Sequence, residues 1–230
     1  MILFLTSSPC VEGKGDINPA NGFRDELVRR VPRNARAVFV TATPDNVPQT
    51  EWAAYSMKQN LEEAGIVFGS YYVLDKRNVH CAANLVINSD FVILGGGHVP
   101  TQHRFFEALG LAKLLRNYDG VVMGISAGTM NCAEVVYSQP EEPGESVAAD
   151  YKRFFNGLNL TKKQVLPHFQ KSLRAILDGK RLIEDITFAD SIGQTFYGLP
   201  DGSYIFADGQ TEEIRGEYYL IRDGRLEHFS

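Results

Sequence analysis

The sequence predicts an α/β domain built on a mostly parallel sheet with helices on both faces, and three observations lead there. Short uninterrupted apolar runs, Ile2-Leu3-Phe4-Leu5, Phe91-Val92-Ile93-Leu94 and Val121-Val122-Met123-Gly124-Ile125, suit strands buried on both sides. Segments of helical spacing alternate with these runs through short connections, the rhythm of strand-helix-strand units. The length, 230 residues with 44% hydrophobic and 22% charged content, fits one soluble domain over 1–230 with a full core.

In chain order, the first strand leads into Thr6-Ser7-Ser8-Pro9 and a Gly/Asn/Pro-rich loop to about residue 22. A helix over 23–31 precedes a second strand over 35–41. Between 48 and 64 the apolar positions Trp52, Ala53, Met57, Leu61 and Ala64 recur at helical spacing and Gly65 stops the helix, so Trp52 is expected as a core anchor. A third strand over 67–74 and a helix over 79–87 lead to the Phe91 strand, which runs directly into Gly95-Gly96-Gly97-His98. Helices over 101–109 and on to 115 return the chain to the Asp119-Gly120 turn and the Val121 strand.

Beyond that strand, 138–146 has loop composition with three carboxylates, Glu141, Glu142 and Glu145. A short strand is expected over 163–169. An amphipathic helix is expected over 172–184 through Leu173, Ile176, Leu177, Leu182 and Ile183, weakened by Gly179. Alternating segments over 203–206, 213–215, 218–221 and 225–229, separated by Asp208-Gly209 and Asp223-Gly224 turns, predict antiparallel hairpins that close the domain.

A formal net charge of −5 without a long basic run argues against nucleic acid as a partner. Cys10, Cys81 and Cys132 are odd in number, widely spaced and free of a Cys-x-x-Cys pair, so neither a disulfide framework nor a zinc site is expected; Cys132 reads as a packed small residue. The apolar start is too short for a signal peptide or membrane span, which makes the cytoplasm the default compartment. Nothing in the sequence asks for a cofactor or a metal.

Gly124-Ile125-Ser126-Ala127-Gly128 matches Gly-x-Ser-x-Gly, the turn that holds a nucleophilic serine clear of the backbone between a strand and a helix. Small residues also line ordinary strand-to-helix turns, but the apolar strand before and the helix-compatible segment after are the setting the motif requires. A serine hydroxyl needs a base, and an imidazole oriented by a carboxylate or carbonyl is the usual one. His80, His103 and His228 fall where surface or packing roles suffice. His168, just past an apolar strand and stiffened by Pro167, is favoured, with His98 beside the glycine run as its rival. The run Gly95-Gly96-Gly97 lacks the spacing of a dinucleotide fingerprint; it reads either as a tight loop or as a source of oxyanion amides at a strand's carboxyl end.

Gly95-Gly96-Gly97, Gly124-Ile125-Ser126-Ala127-Gly128, Leu166-Pro167-His168-Phe169 and Gly198-Leu199-Pro200-Asp201-Gly202, in this order, resemble the aspartyl dipeptidase (peptidase E) and cyanophycinase family of serine peptidases over nearly the whole chain. The resemblance implies a three-layer αβα sandwich related to class I glutamine amidotransferases. It also implies a serine exopeptidase acting on dipeptides or short peptides through an acyl-enzyme, with a triad of Ser126, His168 and Asp201. Oxyanion amides would come from Gly97 and Ala127, with Gly96 and His98 beside them. Peptidase E has a glutamate where this chain has Asp201, a shorter arm that a backbone shift must offset. The arginine by which peptidase E selects an N-terminal aspartate has no counterpart here, since Lys171, Arg174, Lys180 and Arg181 read as the solvated face of a helix. A preference for Asp-X dipeptides is therefore not expected. A catalytically silent relative that only binds a ligand, or an esterase or amidase on the same fold, is the alternative. Glu141 and Glu142, in a loop able to overhang the site, are rivals to Asp201 for orienting the histidine, although exposed paired carboxylates are usually solvated.

Overall fold

The computed structural model describes residues 1–230. Strand β1 (Ile2–Thr6) leads through a loop to α1 (Phe23–Arg30), β2 (Ala35–Val40), α2 (Val47–Glu63), β3 (Phe68–Leu74), α3 (Ala82–Ile87), β4 (Phe91–Leu94), α4 (Val99–Leu109), α5 (Leu111–Leu115) and β5 (Val121–Ile125). After the one-turn α6 (Ala127–Met130) come β6 (Val135–Tyr137), β7 (Phe154–Asn156), β8 (Gln164–Leu166), the one-turn α7 (Phe169–Ser172), β9 (Ile176–Leu177), β10 (Lys180–Arg181), a π-helical stretch Leu182–Thr187 and α8 (Phe188–Asp190). The chain ends in β11 (Thr195–Gly198), β12 (Tyr204–Ala207), β13 (Glu212–Arg215), β14 (Tyr218–Arg222) and β15 (Arg225–Phe229). No helix is long and apolar enough to cross a membrane.

The main sheet has seven strands in the order β13-β12-β1-β5-β4-β2-β3, with β1, β5, β4, β2 and β3 parallel and β12 and β13 antiparallel at one edge. Alternate residues of its central strands face opposite cores. Leu3, Leu5, Val38, Val40, Val92, Leu94 and Val122 pack against α3, α4 and α5. Phe4, Ala37, Phe39, Phe91, Ile93, Val121 and Met123 pack against α1 and α2. These are the three layers, and the uninterrupted apolar runs are what two buried faces require.

A second sheet, β15-β14-β11-β8, carries the parallel pair β8 and β11. Its inner residues Leu166, Phe196 and Ile221 form a third core with Phe169 of α7, Ala127 and Met130 of α6 and Val99 of α4. The C-terminal hairpins therefore do not close one surface together. The β12-β13 hairpin extends the main sheet, and β14-β15 extends the second.

Two local expectations are corrected. The helix expected over 172–184 is replaced by the β9-β10 hairpin and the π-helical stretch, because Asp178 and Gly179 both take positive φ (51° and 76°), the geometry of a tight hairpin turn. Trp52 is not a core anchor: it is 71% exposed. The buried stripe of α2 is Thr50, Ala54 and Leu61, and Trp52, two positions from both Thr50 and Ala54, lies about 200° around the helix from each.

Candidate active site

Four connections at strand ends converge. Ser7 follows β1 and Ser126 follows its parallel neighbour β5, in register Thr6 to Ile125. His168 follows β8 and Asp201 follows its parallel neighbour β11, in register Leu166 to Gly198. Carboxyl ends of parallel strands are where such sheets place ligands.

At Ser126 the chain turns sharply, with φ 51° and ψ −111°, a left-handed value that a serine adopts only under tight constraint. The constraint comes from β1. The Ser126 amide donates to the Thr6 carbonyl at 3.1 Å, Thr129 Oγ1 donates to the same carbonyl at 2.8 Å, and Thr6 Oγ1 donates to the Gly124 carbonyl at 2.8 Å. Gly128 admits no larger residue, since a Cβ there would stand 2.3 Å from the Leu94 carbonyl oxygen.

His168, also left-handed at φ 51°, starts α7. Its Nε2 lies 3.2 Å from Ser126 Oγ and its Nδ1 lies 2.7 Å from Asp201 Oδ1, so the ring bridges hydroxyl and carboxylate. The fully buried Ser7 ties both ends of the histidine–carboxylate pair: its Oγ donates to Asp201 Oδ1 at 2.9 Å and accepts the His168 amide at 2.5 Å. Gln170 closes the other side, donating from Nε2 to Asp201 Oδ2 at 2.7 Å while its Oε1 accepts the Asp201 amide at 3.1 Å. Burial by itself would raise the Asp201 carboxyl, but the bonds from His168, Gln170 and Ser7 outweigh it and hold the group down at about 2. Neither Ser7 nor Gln170 stood out in the sequence.

A cavity of about 230 Å³ opens on Ser126, His168 and Gly97. Its other walls are largely apolar: Val99, Met130, Ile176, Leu177 and Leu182 among them. Ala127, the first residue of α6, is buried beneath it and Gly96 packs against Ser126. The roof is the 138–146 loop. Glu141 stands in the wall, its carboxylate accepting the Val99 amide at 3.2 Å, and although its edge is open to solvent the surrounding protein pushes its carboxyl above the usual range. Glu142 is exposed and does not reach this cavity.

His98 is not in the group. Its backbone precedes α4 and its ring is held by Thr101 Oγ1 at Nδ1 and Glu145 Oε1 at Nε2, both 2.8 Å away, so it points away from Ser126 into a neighbouring depression. Of the four cations expected on a helix face, Arg181 pairs with Asp185, Arg174 and Lys180 are exposed, and Lys171 lies beside Asp201 with Nζ 3.7 Å from Oδ2.

No protein of curated function matches the chain in sequence. A 1.5 Å crystal structure of a Listeria monocytogenes EGD-e protein that carries a provisional peptidase E name shares the fold. Its TM-score is 0.64 at 19% identity, over 93% of this chain and 96% of that one. Residues 3–215 match Peptidase family S51, a span that contains both sheets' parallel pairs and every connection that meets at Ser126. The chain therefore belongs to peptidase family S51 and is a serine-type peptidase.

Proposed function

We propose that the protein is an exopeptidase that hydrolyses dipeptides or short peptides through an acyl-enzyme on Ser126. The observation that carries this reading is the His168 ring, bonded to Ser126 Oγ at one nitrogen and Asp201 at the other. In the reaction His168 Nε2 takes the Ser126 proton as Oγ bonds to the scissile carbonyl carbon, and Asp201 stabilises the imidazolium. The oxyanion faces the amides of Gly97 and Ala127, neither of which is used by the protein's own hydrogen bonds. His168 then gives its proton to the leaving amine as the C–N bond breaks. Water attacks the ester, its proton passing to His168, and the acid leaves as the proton returns to Ser126.

The small volume of the cavity, about 230 Å³, favours a short substrate. Glu141 offers the free α-ammonium of the first residue a carboxylate, while Val99, Met130, Ile176, Leu177 and Leu182 suit a neutral or apolar side chain; no lysine or arginine lines it. We place the protein in the cytoplasm, where its three free cysteines stay reduced.

Labelling by a fluorophosphonate and release of amino acids from Leu-Leu, both abolished by Ser126→Ala, are the expected results. Labelling without cleavage of any dipeptide would instead point to an esterase or amidase, and no labelling to a silent relative. In a panel of first residues, kcat/KM for Asp-Leu should not exceed that for Leu-Leu or Met-Leu; an Asp-Leu preference above about a hundredfold would overturn the neutral pocket.

A further inference from the structure

A second cavity, of about 390 Å³, opens on the other side of His168. Its walls include Val11 and Glu12 from the loop after β1, Trp52 and Met57 from α2, and Lys171 and Asp201. Two of these side chains have no evident structural task. Trp52 leaves 71% of its surface open although it is the only tryptophan in the chain and among its largest apolar groups. Lys171, on the same helical turn as His168, holds its ammonium at the rim, 2.8 Å from Glu12 Oε1 and 3.7 Å from Asp201 Oδ2. The bond to Glu12, with the charge of Asp201 behind it, raises the lysine further above neutral pH, so the ammonium is always charged. An exposed pair of this kind is weakly held and exchanges partners readily.

In acyl transfer the leaving amine collects its proton from the imidazole, so the leaving residue must lie against His168 on the side away from the acyl cavity. The Trp52 cavity is there, because it shares His168 and adjoins Gly96. We propose that this cavity is the leaving-group subsite, in which Lys171 binds the C-terminal carboxylate of a dipeptide and Trp52 covers the side chain of its second residue. The assignment rests on the Ser126-His168-Asp201 reading and adds the substrate class: dipeptides with a free carboxylate and a bulky apolar or aromatic second residue. Glu12 holds the lysine, and the arriving carboxylate displaces it. With Glu141 facing the α-ammonium, the two charged ends of such a zwitterion each meet an opposite charge, which a longer or capped peptide would not satisfy.

The test compares Leu-Phe, Leu-Phe amide and Leu-Ala on the wild type, Lys171→Met, Lys171→Arg, Glu12→Gln and Trp52→Ala. The wild type should favour the free acid over the amide by about tenfold or more in kcat/KM, mostly through KM. Lys171→Met should bring that ratio to about one, and Lys171→Arg should restore it. Were Lys171 to act only through Asp201, its loss would lower acid and amide by the same factor and leave the ratio intact, which overturns the subsite. Glu12→Gln should lower KM for Leu-Phe, and a rise would count against the lysine as the anchor. Trp52→Ala should reduce the preference for Leu-Phe over Leu-Ala by several fold, whereas an unchanged preference removes Trp52 from the site. Ser126-dependent cleavage with equal rates on acid and amide defeats the subsite alone. No Ser126-dependent cleavage of any of the three defeats the triad reading with it.

Discussion

Ser7 shows how much of the site rests on a side chain that takes no part in the chemistry. It is buried, it holds Asp201 Oδ1, and it receives the His168 amide, so it sets the histidine and the carboxylate in one frame. Ser7→Ala should lower kcat about tenfold to a hundredfold with little change in KM, the signature of a lost alignment rather than a lost contact; steady-state kinetics on Leu-Leu would show it. Asp201→Asn should cost about 10³ to 10⁴ in kcat by favouring the wrong imidazole tautomer. If it keeps near-normal turnover while Glu141→Gln does not, Asp201 is the wrong carboxylate. Asp201 also ties stability to pH. Its carboxyl sits at about 2 when folded against 3.8 for the free group, so the unfolded chain takes the proton first. The stabilisation, roughly 2 kcal/mol, is complete above about pH 4 and is lost as pH falls toward 2. Urea unfolding of the wild type and of Asp201→Asn should therefore give stabilities that converge between pH 5 and pH 2. Ser126 carries its own local motif, whereas Asp201 was singled out by the family resemblance, which also favoured His168 over His98; the structure brings the three side chains within hydrogen-bond reach. Ser7 and Gln170 act through partners far along the chain, and no local pattern marks them. His98 misled because the residue before a helix and the residue beside an oxyanion loop look alike until the ring's partners are known.

Among the elements, the elbow between β5 and α6 is the most tightly specified. A Cβ on Gly128 would meet the carbonyl oxygens of Leu94 at 2.3 Å and Gly95 at 2.9 Å, both backbone, so the neighbour cannot turn aside. Gly128→Ala should destabilise by about 1–3 kcal/mol or more, read as a lower Tm by calorimetry, and should abolish fluorophosphonate labelling even below that Tm. Labelling at the wild-type rate would show that the elbow tolerates a shift of β4. The strands of the main sheet were readable from apolar runs alone, since burial on both faces leaves no other pattern. The 172–184 segment was not, because Leu173, Ile176, Leu177 and Ile183 fit a helix and a hairpin followed by a helical turn equally well. What decides is the turn: Asp178 accepts the amides of Gly144 and Ser146 and the Ser146 hydroxyl, an anchorage to the roof loop that a helix could not provide. Trp52 failed for a related reason. Spacing reveals that a helix has an apolar stripe, but in a helix with apolar residues on more than one side it does not reveal which stripe faces the sheet.

In the whole molecule the site belongs to neither sheet. Ser126 and Ser7 stand at the ends of main-sheet strands, His168 and Asp201 at the ends of second-sheet strands, and the turn through Leu199, Pro200 and Asp201 is where the chain passes from β11 in one to β12 in the other. The sheets meet where Val165 and Leu199 join the core of Leu3, Leu5 and Ile205, and through Ser7's two bonds. A sliding of one sheet against the other by about an ångström would leave every strand intact and part the histidine from the serine, which is enough to cost about a hundredfold in rate. Turnover thus works as an alignment gauge for two bodies whose secondary structure would report nothing amiss. In a urea titration activity should disappear at a lower concentration than the far-ultraviolet circular dichroism signal, and coincident midpoints would mean that the two sheets come apart only when both unfold.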